Sequence, residues 1–322
     1  MRAAHLRPGF LVLRAASLFS GKPRVLRVEL TNHCNLRCKM CGIWAENPKR
    51  TLSPAMVEDV LSQAMFAHLR VVSLTGGEPF LLGDLLEYYQ VARRARPHAH
   101  VNVSSNGYYT DRTLEFFART EPGTVSLTIS YDGIRSHDSV RGVAGSAARL
   151  LDTATAMRDR FPGVPLSLKL TVNNENYAEI VETAEQCRKL RIPFRFKTLE
   201  KLKCHQNRYP SEITGPDYSS AIRDAIRTQA EALLAADGET NRRYLGNLVR
   251  KFSGSAPACH CSPRTLFLGV DGEVFLCRKK DPIGNVFERR LQAIWNASDH
   301  RTRRQEMRAC DGDPMELSYV NE

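Results

Sequence analysis

The 322-residue sequence has no apolar run near the ~20 residues that a membrane-spanning helix needs, so no helical membrane span is expected. A secretory signal is also missing. The basic, part-apolar start RAAHLRPGFLVLRAASLFSGKPR has its apolar run FLVL cut by Arg14, and no clean small-residue cleavage site follows. Residues 1–24 therefore read as a docking segment, and the chain as cytoplasmic. Without export, nine cysteines do not form a disulfide framework; in a reducing compartment clustered thiols bind metal or do chemistry. Aromatic residues make up only 8% of the chain, basic residues are scattered, and no zinc-finger or RNP-type motif occurs. The net charge of +11 thus does not point to nucleic acid. It reflects either solvated basic faces or an anionic ligand such as a phosphate, carboxylate or nucleotide. There is no internal repeat and no low-complexity linker.

What the sequence does contain is an alternation. From Val25 onward, short β-rich runs (VLRVELT, RVVSLTG, HVNVSSN, TVSLTIS, PLSLKLTV, PFRFKTL) are separated by helical periods. One helix opens at Ser53-Pro54, an N-cap followed by proline at the first helical position. The strands read as near-continuous apolar runs, as in a parallel sheet covered by helices. Six successive βα units give an α/β fold: a partial (β/α)6 TIM-like barrel over residues 25–200. Residues 201–256 read as a helical connection. Residues 257–322 read as a small C-terminal α+β module, with a hairpin, TLFLGV and EVFLC, around Asp271-Gly272.

In such barrels chemistry sits at the C-terminal strand ends. The stretch TNHCNLRCKMC follows the first strand and places Cys34, Cys38 and Cys41 in a C-x3-C-x2-C spacing. GGEP, SSNG and SYDG follow the next three strands, so four polar or glycine-rich turns share one rim. A structural zinc site wants four closed ligands, and nothing nearby completes this one. An iron–sulfur cube held by three thiolates keeps one iron open for a substrate or cofactor. Cysteines at this density, among Asn32, Asn35, Arg37 and Lys39, are not core packing.

CNLRCKMC with GGEP downstream resembles the radical SAM superfamily, over about residues 25–200. The resemblance implies a [4Fe–4S] cluster bound by Cys34, Cys38 and Cys41, whose open iron chelates S-adenosylmethionine. One electron cleaves the sulfonium, and the 5′-deoxyadenosyl radical abstracts a hydrogen atom from substrate. The protein positions and shields these cofactors. Met40 matches a position that packs on adenine. Gly76, Gly77 and Glu78 match the turn at the methionyl amino group, where glycines permit close approach and a carboxylate suits an ammonium. Ser104 and Asn106 match ribose and methionyl contacts. Ser130 and Asp132 sit on the next rim, Arg141 matches an arginine that grips the methionyl carboxylate, and Val172 would line the adenine pocket through its backbone. Asp132 also reads as a turn initiator and Arg141 as a surface ion pair.

Cys259, Cys261 and Cys277 flank the hairpin and Cys310 follows a helix. The C-x10-G-x4-C run from Cys261, with GNVFERRLQAIW after it, resembles SPASM and twitch auxiliary-cluster modules. This implies one auxiliary [4Fe–4S] cluster, with zinc as the alternative because four cysteines also fit tetrahedral zinc. Its work would be electron transfer and shaping the pocket floor.

The substrate is less legible. The expected activity is that of an oxidoreductase or epimerase on a small polar molecule, a sugar or aminocyclitol alcohol. The alternatives are a peptide substrate and a non-catalytic iron–sulfur carrier or sensor. Only ~24 residues precede the first strand, which reads as too few for the leader-recognition domain of peptide-modifying relatives. The resemblance also implies a one-electron reductant such as flavodoxin or ferredoxin. Cys204, after the sixth strand, reads as a hydrogen-atom donor, a cluster ligand or a loop thiol. Lys197 and Glu200, at that same strand end, read as substrate contacts or as members of ion pairs, and Cys187 reads as core.

Overall fold

The computed structural model describes residues 22–199, 218–236, 245–246, 249–250, 252–254, 265–298, 300 and 302–303. Six βα repeats occupy its first part. The strands are β1 (Val25–Glu29), β2 (Val71–Thr75), β3 (His100–Ser105), β4 (Val125–Ser130), β5 (Leu166–Val172) and β6 (Phe194–Thr198). The helices are α1 (Pro54–Ser62), α2 (Leu85–Ala95), α3 (Thr110–Ala118), the short α4 (His137–Arg141), α5 (Ser146–Arg160), α6 (Ile180–Lys189) and α7 (Ser220–Ala236). Ser53 caps α1 as its sequence implies: its Oγ accepts from the Met56 N–H at 3.2 Å, and Pro54 occupies the first helical position.

The strands lie in the order β6-β5-β4-β3-β2-β1, each parallel to its neighbour. Three short strands extend the sheet beyond β1: β7 (Thr265–Leu268), β8 (Glu273–Phe275) and β9 (Gly284–Asn285). β7 runs parallel to β1 with Val25 opposite Thr265, and the β7–β8 hairpin turns around Asp271-Gly272. The expected hairpin thus forms, but as an extension of the main sheet. The order is linear and ends at two edges, so the barrel is partial and open. Helix α8 (Leu291–Asn296) follows, tied to the region after α1: the Gln292 N–H donates to Gln63 Oε1 at 2.6 Å, and Gln292 Oε1 accepts from the Met65 N–H at 2.7 Å.

The strands are not continuous apolar runs. From β1 to β5 they alternate, because only one face is covered by helices. Leu26 and Val28, Val72 and Leu74, Val101 and Val103, and Leu127 and Ile129 are buried in the main core. It also contains Val57, Val60 and Leu61 of α1 and Tyr88 of α2. The residues between them face the other way. Arg27, Ser73, Thr128 and Lys169 line an open cavity on the concave side. Burying the apolar half of this pattern stabilises the sheet by ~1.5–3 kcal/mol per large side chain. The polar half is left to line a site.

Candidate active site

The cysteine loop leaves β1 and is tied down at each step. The Leu30 N–H donates to Thr75 O at 2.8 Å, prolonging the β1–β2 pairing. Thr31 Oγ1 donates to Arg50 O at 3.0 Å, and Asn32 Oδ1 accepts from the Arg50 N–H at 2.7 Å. The glycine turn after β2 then clamps the loop from the side: Gly77 N–H donates to Thr31 O at 2.6 Å and Glu78 N–H to His33 O at 2.8 Å. A Cβ on Gly77 would lie 2.0 Å from His33 O. One on Gly76, whose φ is +142°, would lie 2.5 Å from Thr31 O. The two glycines are therefore required by contact with the cysteine loop itself.

All three cysteines, with Met40, Gly76 and Gly77, line one cavity of about 210 Å³. Ser104, Asn106, Ser130 and Arg141 also face it. Asn106 Nδ2 donates to Asn35 Oδ1 at 2.8 Å, joining the third turn to the cysteine loop.

Three expected contacts lie elsewhere. Glu78 is fully buried and faces away from the cavity; its carboxylate is a strut between turns. Oε1 accepts from Phe80 N–H at 3.0 Å and Ser105 Oγ at 2.8 Å, and Oε2 from Asn106 N–H at 2.7 Å. Burial pushes this carboxyl up to about 7, against the lowering effect of those donors. Asp132 is also fully buried: Oδ1 accepts from Thr171 N–H at 2.7 Å, and Oδ2 pairs with Arg141 Nη2 at 2.6 Å. It holds Arg141. The Val172 carbonyl is already taken up inside the protein: it accepts from Leu199 N–H at 2.9 Å and Tyr218 OH at 2.7 Å. In each case a buried polar group is satisfied inside the protein.

The site also contains residues that motif matching passes over. Trp44 lines the cavity, and its Nε1 donates to Cys38 O at 3.2 Å. Arg27, Lys169, Lys197 and Arg278 give the concave wall a basic character, and the guanidinium groups of Arg27 and Arg278 lie 5.5 Å and 5.0 Å from the centroid of the Phe267 ring. The signal was the period-two alternation of the strands. Cys277 is buried beside Phe275 and Arg278, which face the cavity, and Cys187 is buried in the core. Cys204, Cys259, Cys261, Cys310 and Glu200 lie outside the described residues.

The donor set suits a cluster better than an ion. Cys34, Cys38 and Cys41 form no disulfide, and no group of three or more His, Cys, Asp or Glu among the described residues is arranged around a single metal ion. Burial pushes the Cys34 thiol up to about 12 and raises Cys38 and Cys41 as well.

An open parallel α/β sheet with a three-cysteine loop at its rim defines the class, and comparison with known proteins agrees. The radical SAM superfamily model matches residues 28–187, and the model of an iron–sulfur cluster-binding domain, SPASM, matches residues 259–315. The chain belongs to the radical SAM superfamily and carries a C-terminal SPASM module. The two matches assign it S-adenosylmethionine and iron–sulfur clusters as cofactors.

Among particular relatives, the sporulation killing factor maturation protein SkfB of Bacillus subtilis is 26% identical over 284 residues, 85% of this chain and 65% of SkfB. The PqqA peptide cyclase of Gluconobacter oxydans is 30% identical over 170 residues, 52% of this chain and 47% of the cyclase. The chain thus spans about two thirds of the first relative and half of the second. The crystal structure of Streptococcus suis SuiB bound to S-adenosylmethionine shares the fold, with a TM-score of 0.67 at 15% identity over 94% of this chain and 75% of SuiB.

Proposed function

We propose that this chain is a peptide-modifying radical SAM enzyme, acting on a residue of a peptide substrate. The observation that carries the reading is the similarity to SkfB across 85% of the chain, with a peptide cyclase also among the relatives. This replaces the expected sugar or aminocyclitol alcohol. Within the reading, Cys34, Cys38 and Cys41 hold the first cluster. The Gly76-Gly77 turn, Ser104, Asn106 and Ser130 hold S-adenosylmethionine with Met40 beside it, since all of them line the same cavity. When bound, the cluster and S-adenosylmethionine supply one-electron carbon–sulfur cleavage and hydrogen-atom abstraction.

The chain's own residues do the rest. Glu78 fixes the second and third turns relative to each other, and Asn106 fixes the third to the cysteine loop. The positive charge of Arg27, Lys169 and Lys197 on the concave wall suits acidic groups of the peptide. Cys277 belongs to the auxiliary cluster of the C-terminal module, with Cys259, Cys261 and Cys310 as its further ligands. A flavodoxin- or ferredoxin-type reductant delivers the electron.

The test uses anaerobically reconstituted protein, dithionite and S-adenosylmethionine. Formation of 5′-deoxyadenosine is expected, together with a mass change in a short peptide encoded beside the gene. Stimulation by aminocyclitol alcohols and by none of the peptides would overturn the substrate reading. No 5′-deoxyadenosine under any condition would leave an electron carrier.

A further inference from the structure

The three cysteines at the rim are not equivalent. Among the described residues, only the Cys38 sulfur receives a charged side-chain donor, Arg141 Nη1, at 3.6 Å. The helix that carries Arg141 is strapped to the loop on both sides of Cys38. The Arg37 N–H donates to Arg141 O at 3.0 Å and the Lys39 N–H to Val140 O at 2.9 Å. Gly142 closes the helix in the left-handed region, at φ +70°, and a Cβ there would meet Arg37 O at 2.5 Å.

The guanidinium is aimed from behind. Asp132 Oδ2 pairs with Nη2 at 2.6 Å, while Asp132 is itself held through Thr171 N–H and through Asn176 Nδ2, which donates to its carbonyl at 3.1 Å. Arg141 is only 9% exposed, and its Nε has no hydrogen-bond partner. A buried cation whose donors are divided between one carboxylate and one sulfur is costly to build for packing alone.

We propose that Arg141, oriented by Asp132, is a positioning residue that sets the reduction potential of the cluster held by Cys34, Cys38 and Cys41. The inference rests on the ligand assignment above. Adding one electron to a cluster places negative charge on its sulfurs. A fixed positive charge and N–H donor at the Cys38 sulfur favours that reduced form and raises the potential, and the effect is large where water is excluded. Asp132 attenuates it by partial neutralisation. If Arg141 instead only grips the cofactor's carboxylate, the potential measured without S-adenosylmethionine is indifferent to it.

The experiment is a redox titration of reconstituted protein without S-adenosylmethionine. It follows by electron paramagnetic resonance the signal that disappears in Cys34→Ala/Cys38→Ala/Cys41→Ala. Arg141→Met is expected to shift the midpoint downward, Arg141→Lys to shift it less, and Asp132→Asn to shift it upward. Should Arg141→Met fail to retain iron, the lysine and asparagine variants still carry the opposed signs. Wild-type midpoints in these variants with weakened S-adenosylmethionine binding, or shifts of one sign in all of them, would overturn the proposal. A wild-type protein with no cluster at these cysteines would instead overturn the ligand assignment.

Discussion

Replacing Gly77 by alanine tests the clamp between the glycine turn and the cysteine loop. The new Cβ would sit 2.0 Å from His33 O and 2.6 Å from His33 C, where carbon contacts settle near ~3.5 Å. Backbone must therefore move by about 1–1.5 Å. The backbone in the way is already committed: His33 O accepts from Glu78 N–H at 2.8 Å and Thr31 O from Gly77 N–H at 2.6 Å. Separating the segments loses these two bonds at ~1 kcal/mol each and adds overpacking strain of ~1–3 kcal/mol. The expected destabilisation is about 3–5 kcal/mol. Urea denaturation of cluster-free protein measures it, and iron retention after reconstitution should fall alongside. Gly83→Ala is the control, because a Cβ there meets nothing within 4 Å, and its midpoint should stay within ~0.5 kcal/mol of wild type. A Gly77→Ala protein as stable and as iron-rich as wild type would refute the clamp.

Three other outcomes follow from the same geometry. Glu78→Ala, although Glu78 does not reach the cavity, should weaken S-adenosylmethionine binding by tenfold or more, because it leaves the three donors at Phe80, Ser105 and Asn106 unsatisfied at ~1–3 kcal/mol each; equilibrium dialysis checks this. Because burial raises the Glu78 carboxyl to about 7 from an ordinary 4.5, the native state of the cluster-free protein keeps a proton that the unfolded chain releases. The associated stability is full below pH 4.5 and lost as pH rises to 7, by about 3 kcal/mol, a decline that Glu78→Gln should flatten in a pH series of denaturation midpoints. Lys169→Ala, on the concave wall, should lower peptide modification about tenfold while 5′-deoxyadenosine formation without peptide stays at the wild-type rate, both read by liquid chromatography and mass spectrometry.

The six strands, every described helix except α4, and the Ser53 cap were legible because their signals are local: a period, a cap, a turn. The rim was legible too, since a parallel sheet brings its C-terminal turns to one side. The five-residue α4 was not, because it is too short to show a period and is held by hydrogen bonds to Arg37 and Lys39, about a hundred residues earlier in the chain. Motif resemblance put Glu78, Asp132 and Val172 against the cofactor; their partners, such as Thr171 for Asp132 and Tyr218 for Val172, come from distant segments and turn them inward. The polar wall was visible all along in Arg27, Ser73, Thr128 and Lys169, each set between apolar neighbours; reading those strands as uniformly apolar hid the cavity. The pairing of β7 with β1 joins residues 25 and 265, beyond any local signal.

The account depends on a cluster at Cys34, Cys38 and Cys41 that engages S-adenosylmethionine. The direct measurement is electron paramagnetic resonance of the dithionite-reduced protein with and without S-adenosylmethionine, in wild type and in Cys34→Ala/Cys38→Ala/Cys41→Ala. Such a cluster gives a wild-type signal that changes on adding S-adenosylmethionine and vanishes in the triple variant. A responsive signal that survives the three substitutions, or a wild-type signal indifferent to S-adenosylmethionine, would contradict it.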